Sequence, residues 1–368
     1  GPNDIVWGYT CPRLTILAFA VRGKPEHSAK MFRQGWTAAA KPALAGTAAA
    51  AQLQMHNGSR LVGTLVSASE STVVFDTPFA GEITLKQENI DRIVTSEEVT
   101  LLMDDDSVYR NKRIIEQDGD LIVMDKDERP VTLDLASIAF INPEPWRLGD
   151  GYKWYGQVNA AIESERGNSD SDELDVDFES IWRSLEDRFT IRGLVELDRN
   201  NGDKTKDTWW VRNKYDRFSK TDTDNYYGYQ IYFEYDKFAD LDLRTVTGPY
   251  IGRQFFEHEI LTMHAEVGVV YVDEQFDVAE DGDFWGSNWE VRLTSGIIPK
   301  FELYLNQDGV LNLNDTADSI ANTTFGIRFP LIFGLQASAE ALWEYDGGAA
   351  EGVDDTDETY NLKLGYKW

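Results

Sequence analysis

His264 and Glu266 stand two positions apart in the segment "LTMHAEVGVVYV". In a strand, that spacing puts both side chains on one face. An imidazole beside a carboxylate is the smallest apparatus for acid–base work. Hydrolysis would also need a hydroxyl or thiol nucleophile within reach of the imidazole, and no Ser or Cys stands in an identifiable relation to His264. The pair is therefore expected to belong to a hydrogen-bonded polar face, with no catalytic residue. A lipid-hydrolase type of enzyme housed in a membrane barrel is the alternative. Two acidic clusters, Asp277-Glu280-Asp281-Asp283 and Asp354-Asp355-Asp357-Glu358, offer oxygen ligands of the kind Ca²⁺ takes. Their spacing departs from the EF-hand loop, so they are expected to be solvated surface, with no metal and no cofactor.

A larger set of charged residues recurs at every second position across the chain. It comprises Asp175, Asp177, Glu179, Arg192, Glu196, Arg212, Glu234, His264, Glu266, Glu290, Arg292, Arg328, Glu340 and Lys363, with Arg183, Lys214, Arg244, Glu344 and Lys367 in the same phase. Apolar residues fill the opposite phase: Leu174, Val176 and Phe178 alternate with the first acids, and Ala265, Val267 and Val269 with His264 and Glu266. Mixed signs at this density, turned inward, predict either an interlocked ion-pair plug across a narrow lumen or a small pore with facing charges. A surplus of carboxylates would favour small cations.

The elements that must position these charges begin at Lys153. From there the chain falls into about twelve period-two segments separated by turn-forming clusters. Several reach ten or so residues, longer than the usual 5 to 6 of a soluble sandwich strand. Aromatic residues mark the ends of the apolar faces, among them Trp154, Trp182, Tyr235, Tyr271, Trp285, Trp343, Tyr366 and Trp368, where interfacial girdles lie in membrane barrels. Connections after odd strands look long ("RGNSDSDE", "DRNNGDKTKD", "VDEQFDVAEDGD"), whereas several after even ones look tight ("LEDR", "EHE"). The expected fold is all-β: an antiparallel outer-membrane β-barrel of about twelve strands over 153–368, with short periplasmic turns. A soluble secreted β-sandwich binding protein is the competing architecture. In a closed barrel the last strand, from Glu358, should lie antiparallel beside that from Lys153.

The segments "KWYGQVNAAIESERGNSDSDELDVDFE", "YYGYQIYFEYDKFADLDLRTVTGPYIGRQFF", "EVGVVYVDE" and the closing "LKLGYKW" resemble the bacterial family of salt-induced outer-membrane proteins, domain-of-unknown-function family 481, over about residues 150–368. The resemblance implies an outer-membrane barrel without assigned chemistry. It also implies that the terminal Leu364, Tyr366 and Trp368 are recognised by the barrel-assembly machinery, although Gly365 lies closer to the terminus than is usual.

Ahead of the barrel the chain divides into three parts. Residues 1–51 form an atypical leader: an apolar run flanked by Arg13 and Arg22, then an Ala-rich stretch, as in a degraded export signal or a disordered tail. A shift of about 48 residues aligns "LQMHNGSRL" with "LLMDDDSVY" and superposes Val73 and Val74 on Leu121 and Ile122, which predicts two small Sm-like β repeats, 52–98 and 99–145. Residues 146–152 are the expected linker, leaving the repeats in the periplasm. The formal net charge of −29 excludes a nucleic-acid partner. Outer-membrane lipid, the assembly machinery and small ions are the partners expected instead.

Overall fold

The computed structural model describes residues 51–69, 71–134, 137–165, 171–258, 261–296, 301–348 and 355–368. The leader reading of 1–51 falls outside these apart from Ala51, which is buried in the first strand. No helix among the described residues is long and apolar enough to cross a membrane.

Among the described residues, ten short strands precede the barrel: β1 (Ala51–Met55), β2 (Arg60–Ala68), β3 (Thr72–Thr77), β4 (Gly81–Lys86), β5 (Ile90–Val94), β6 (Val99–Met103), β7 (Val108–Gln117), β8 (Asp120–Met124), β9 (Pro130–Val131) and β10 (Ile138–Ile141). Strands begin at 51, 60, 72 and 90 in the first half and at 99, 108, 120 and 138 in the second, a constant shift of 48 residues. Each half places its strands in the order fifth, first, second, third, fourth. The halves are not independent units, however. Ile141 of β10 pairs with Ala68 of β2, Thr95 Oγ1 accepts from the Ile114 amide at 2.9 Å, and Leu53, Val73, Phe75, Leu101, Ile114 and Val123 share one core. A half of under 50 residues has too little apolar surface to bury alone; two halves sharing one core meet that need.

The barrel consists of β11 (Lys153–Glu165), β12 (Ser171–Arg183), β13 (Asp187–Asn200), β14 (Asp203–Phe218), β15 (Asn225–Asp236), β16 (Leu241–His258), β17 (Leu261–Phe276), β18 (Gly282–Ser295), β19 (Glu302–Asn312), β20 (Ser319–Pro330), β21 (Leu335–Asp346) and β22 (Thr356–Lys367). Each pairs antiparallel with the next, and β22 pairs back with β11 to close the ring. The alternation sorts the side chains: Val158, Ile162, Phe178, Val195, Ile251, Val267, Val269, Leu362 and Leu364 are exposed on the outside, while Asn159, Glu196, Lys214, Glu266, Glu290 and Lys363 are buried within. The strands close into a ring and the outer face is apolar, which is the architecture of a membrane-spanning barrel. Aromatic pairs ring both ends. Trp154–Trp182, Trp182–Phe189 and Trp154–Trp368 lie toward the chain-terminal end, and Trp209–Tyr235 and Tyr271–Trp285 toward the other.

The connections differ from expectation. "DRNNGDKTKD" is largely strand: only Asn201 and Gly202 lie between β13 and β14, both with positive φ (51° and 90°), as a tight hairpin turn requires. The connection at 219–224 after an even strand is as long as that at 313–318 after an odd one. The asymmetry lies instead in strand length. A strand of 16 to 18 residues, as in β14, β16 and β17, exceeds the roughly 9 to 11 needed to cross the bilayer.

The segment before the barrel is anchored rather than slack. Trp146 is buried and its Nε1 donates to Glu144 Oε2 at 2.8 Å, where Lys153 Nζ also donates at 2.8 Å. The Arg183 guanidinium lies 5.4 Å from the centre of the Trp146 ring. Burial pushes the Glu144 carboxyl up, but the bonds from Lys153 and Trp146 outweigh it and hold it below its ordinary 4.5. A depressed carboxyl contributes its full stabilisation above the ordinary value and loses it as pH falls through the folded one. Amide exchange at Gly149 and Asp150, whose N–H groups close this turn, should therefore lose protection on acidification below about pH 4.5. A Glu144→Gln variant should show no such step.

Candidate functional site

The inward faces of six strands meet in a belt of ionic groups. Arg192 on β13 donates to Glu290 Oε2 on β18 at 2.6 Å, and Arg212 on β14 reaches the same oxygen at 3.1 Å and Asp308 on β19 at 2.8 Å. Lys214 pairs with Glu266 on β17 and lies 3.3 Å from Glu290. Arg292 on β18 bonds Glu179 on β12. Strands β12 and β18 stand half-way round the ring from each other, with five strands between them on either side. A bond between them spans the lumen.

Below the belt, toward the chain-terminal end, a second layer fills the barrel. Arg188 Nε donates to Asp216 Oδ2 at 2.6 Å, Tyr250 bonds the other oxygen of Asp216, and Tyr226 donates to Glu266 at 2.8 Å. The rings of Tyr250 and Tyr226 lie over Gly228 and Gly252, where any Cβ would collide with them. Glycine at these two positions lets each tyrosine cross to the neighbouring strand. Arg183 sits 3.7 Å from the Phe218 ring centre as well as near Trp146, so cations and aromatics stack at this end of the barrel.

The remaining charges with inward parity fall in three further groups. Lys363 Nζ lies 2.8 Å from Asp175, 2.9 Å from Asp177 and 2.6 Å from Glu340. Glu196 pairs with Lys206 at 2.7 Å, and Arg244 joins Glu234 at 2.9 Å and Glu274 at 2.6 Å, nearer the opposite end. Arg328 and Lys367 share Glu302 at the chain-terminal end. Arg188, Asp216, Asp308, Tyr226 and Tyr250 belong to the network although sequence reasoning did not single them out. Asp216 shares the parity of Arg212 and Lys214, and Arg188 that of Arg192, so the signal was present. In "WWVRNKYDRF", however, aromatics stand on both faces, which masks the alternation.

His264, Glu266 and Glu290 bring one donor atom each within 4.8 Å of one another, a spacing a metal ion could use. Lys214 already pairs with both carboxylates, and Arg192 and Arg212 with Glu290. A divalent cation would have to displace them. His264 Nε2 itself faces Glu290 at 3.4 Å and Glu266 at 3.9 Å. The two carboxylates act as ion-pair partners of Lys214, Arg192 and Arg212, and the His264 ring faces both carboxylates.

At the chain's end, Leu364, Tyr366 and Trp368 are exposed on the outer face, with Trp368 stacked on Tyr366 and tilted against Trp154. The Trp368 amide donates to Gly156 O at 3.0 Å, and the Gly156 amide donates back at 3.2 Å. The last residue therefore zips the barrel shut.

Among solved structures, the chain is similar to the NanC porin, at 11% identity over 59% of this chain and 100% of that one, with a TM-score of 0.38. It is also similar to the CymD monoaromatic hydrocarbon channel, at 7% identity over 61% and 90%, TM-score 0.29. The outer membrane channel DcaP of Acinetobacter baumannii matches at 11% identity over 87% and 94%, TM-score 0.29. No curated protein sequence matches the chain. The family described as "Protein of unknown function, DUF481" matches residues 158–368, which is more than half of the sequence and takes in β12 to β22 whole, and the chain belongs to that family.

Proposed function

We infer that this protein is an outer-membrane barrel of structural or narrow, cation-preferring pore type, without catalytic chemistry, whose lumen is held shut by the ionic belt. The observation that carries this reading is the Arg292–Glu179 bond between opposed strands, reinforced by Arg192 and Arg212 converging on Glu290. Bonds between opposed strands obstruct the lumen at their level. Even-numbered antiparallel barrels with an apolar exterior and aromatic girdles are the outer-membrane pattern. Both termini of the barrel lie at the end of the 184–186 connection, which we take as the periplasmic end, with the 51–141 sheet on that side. Carboxylates such as Glu196, Glu234, Glu274 and Glu344 line the opposite half, so ions admitted there would be cations.

Planar-bilayer recording tests this directly. The unaltered protein should be silent or nearly so. A Glu179→Ala/Arg292→Ala double variant removes both partners at once, leaving no orphaned charge, and should show small, cation-selective openings. A large conductance from the unaltered protein, or anion selectivity in the variant, would contradict the reading.

A further inference from the structure

The closing seam differs from every other interface of the barrel. β11 pairs with β12 along its whole length, and β22 with β21 along nearly all of its own. Between β11 and β22 the ladder holds only Gln157 to Ala160 against Lys367 to Leu364, plus the Gly156–Trp368 bonds. Continued in register, Ala161 would oppose Lys363 and Ile162 would oppose Leu362, yet among the described residues no such pair forms. The ladder between the two strands is therefore unformed over the half of the seam farther from the chain termini, and this unpaired stretch is the slit.

Both sides of that slit have distinctive chemistry. On the outside, Ile162, Tyr360, Leu362 and Leu364 are 78%, 70%, 80% and 68% exposed, among the most exposed apolar side chains of the barrel. On the inside, Lys363 is held by Asp175, Asp177 and Glu340 while Asn361 donates to Asp175 Oδ2 at 3.1 Å. Three carboxylates face one ammonium there. Asp175 Oδ1 is buried and accepts no hydrogen bond. Strand edges without partners are not tolerated against hydrocarbon unless polar groups reach them. An apolar rim backed by excess carboxylate and an unfilled acceptor suits a molecule with a tail and a cationic, hydrogen-donating head.

We propose that the β11–β22 slit is a lateral binding site for the primary-amine head group of a membrane amphiphile, which enters from the bilayer past Ile162 and Leu362 and donates to Asp175. The head group shares the carboxylate cluster with Lys363, while the tail stays in the lipid. The site is independent of whether the central belt passes ions.

The test uses the full chain with Cys11 replaced by Ser, in vesicles of phosphatidylethanolamine and phosphatidylglycerol. A benzophenone amino acid placed at lumen-facing Ala161 should capture phosphatidylethanolamine several-fold more than one placed at lumen-facing, half-buried Thr324, and in preference to phosphatidylglycerol. An Ile162→Cys/Leu362→Cys disulfide should abolish that capture. A Val158→Cys/Tyr366→Cys disulfide, which lies in the part already zipped, should leave it intact and shows that a cross-link as such does no harm. Capture at Ala161 no greater than at Thr324, equal capture of the two lipids, or capture that survives the sealing disulfide would overturn the proposal.

Discussion

Removal of Tyr366, Lys367 and Trp368 should nearly abolish assembled protein in the membrane. The seam has few bonds to lose: Gln157 and Val158 pair with Lys367 and Tyr366, and Gly156 exchanges both its backbone bonds with Trp368. After the truncation only Asn159–Gly365 and Ala160–Leu364 remain. A barrel that cannot close exposes two strand edges to hydrocarbon, each unsatisfied group costing several kcal/mol. The same deletion removes Trp368 from its stack with Trp154 and Tyr366 at the interface, and Lys367 from Glu302 at 3.1 Å. A deletion of equal size at 313–315, in the connection between β19 and β20, should leave most of the protein assembled. Membrane fractions probed for the protein separate these outcomes, and normal levels of the truncated chain would show that the seam is held by something else.

The second large effect separates the two faces of one wall. Val267 is 51% exposed on the outside of β17, six residues from its start. Arginine there should cost about 2 to 4 kcal/mol of barrel stability, the penalty for a cation on the lipid face near the midplane. Thr324 on β20 faces inward and is only half-buried, and arginine there should cost much less. Gln230 is a poorer inward control because it is buried in the packed lumen, where added bulk typically costs about 1 to 3 kcal/mol by overpacking alone. Denaturant titration in detergent measures both. Equal penalties at Val267 and Thr324 would mean that the faces have been assigned wrongly.

The barrel was largely legible because a strand's period of two is a local property. Ala265, Val267 and Val269 against His264, Glu266 and Gly268 announce their faces without knowledge of any neighbour. Strand β14 was the hardest to read, since Trp209 and Trp210 stand on opposite faces and Asn213 and Arg217 share the outward phase. The inward phase could also be assigned, but not the partners. Glu179 and Arg292 lie 113 residues apart, and no spacing in the sequence reveals which acid meets which base across a closed ring. The short ladder at the seam was hidden for a related reason. The pattern "ETYNLKLGYKW" shows that a strand is present, while its register against β11 depends on the tilt and stagger of all twelve strands. Loop lengths were overestimated because Asp, Asn and Lys in "DRNNGDKTKD" suggest a loop by composition, yet they continue the ladder into water beyond the girdle of Trp209 and Tyr235.

The central claim, that residues 153–367 form one closed barrel, is tested most directly by gel migration in SDS with and without boiling. A closed barrel has every internal strand hydrogen-bonded on both sides and its lumen bolted by ion pairs such as Arg188–Asp216 and Lys363–Asp175. It should therefore resist SDS until heated. The account predicts a faster, compact band for the unboiled protein and a slower band at full mass after boiling. A single band at the same position in both lanes, from protein that also stays in solution without detergent, would contradict it.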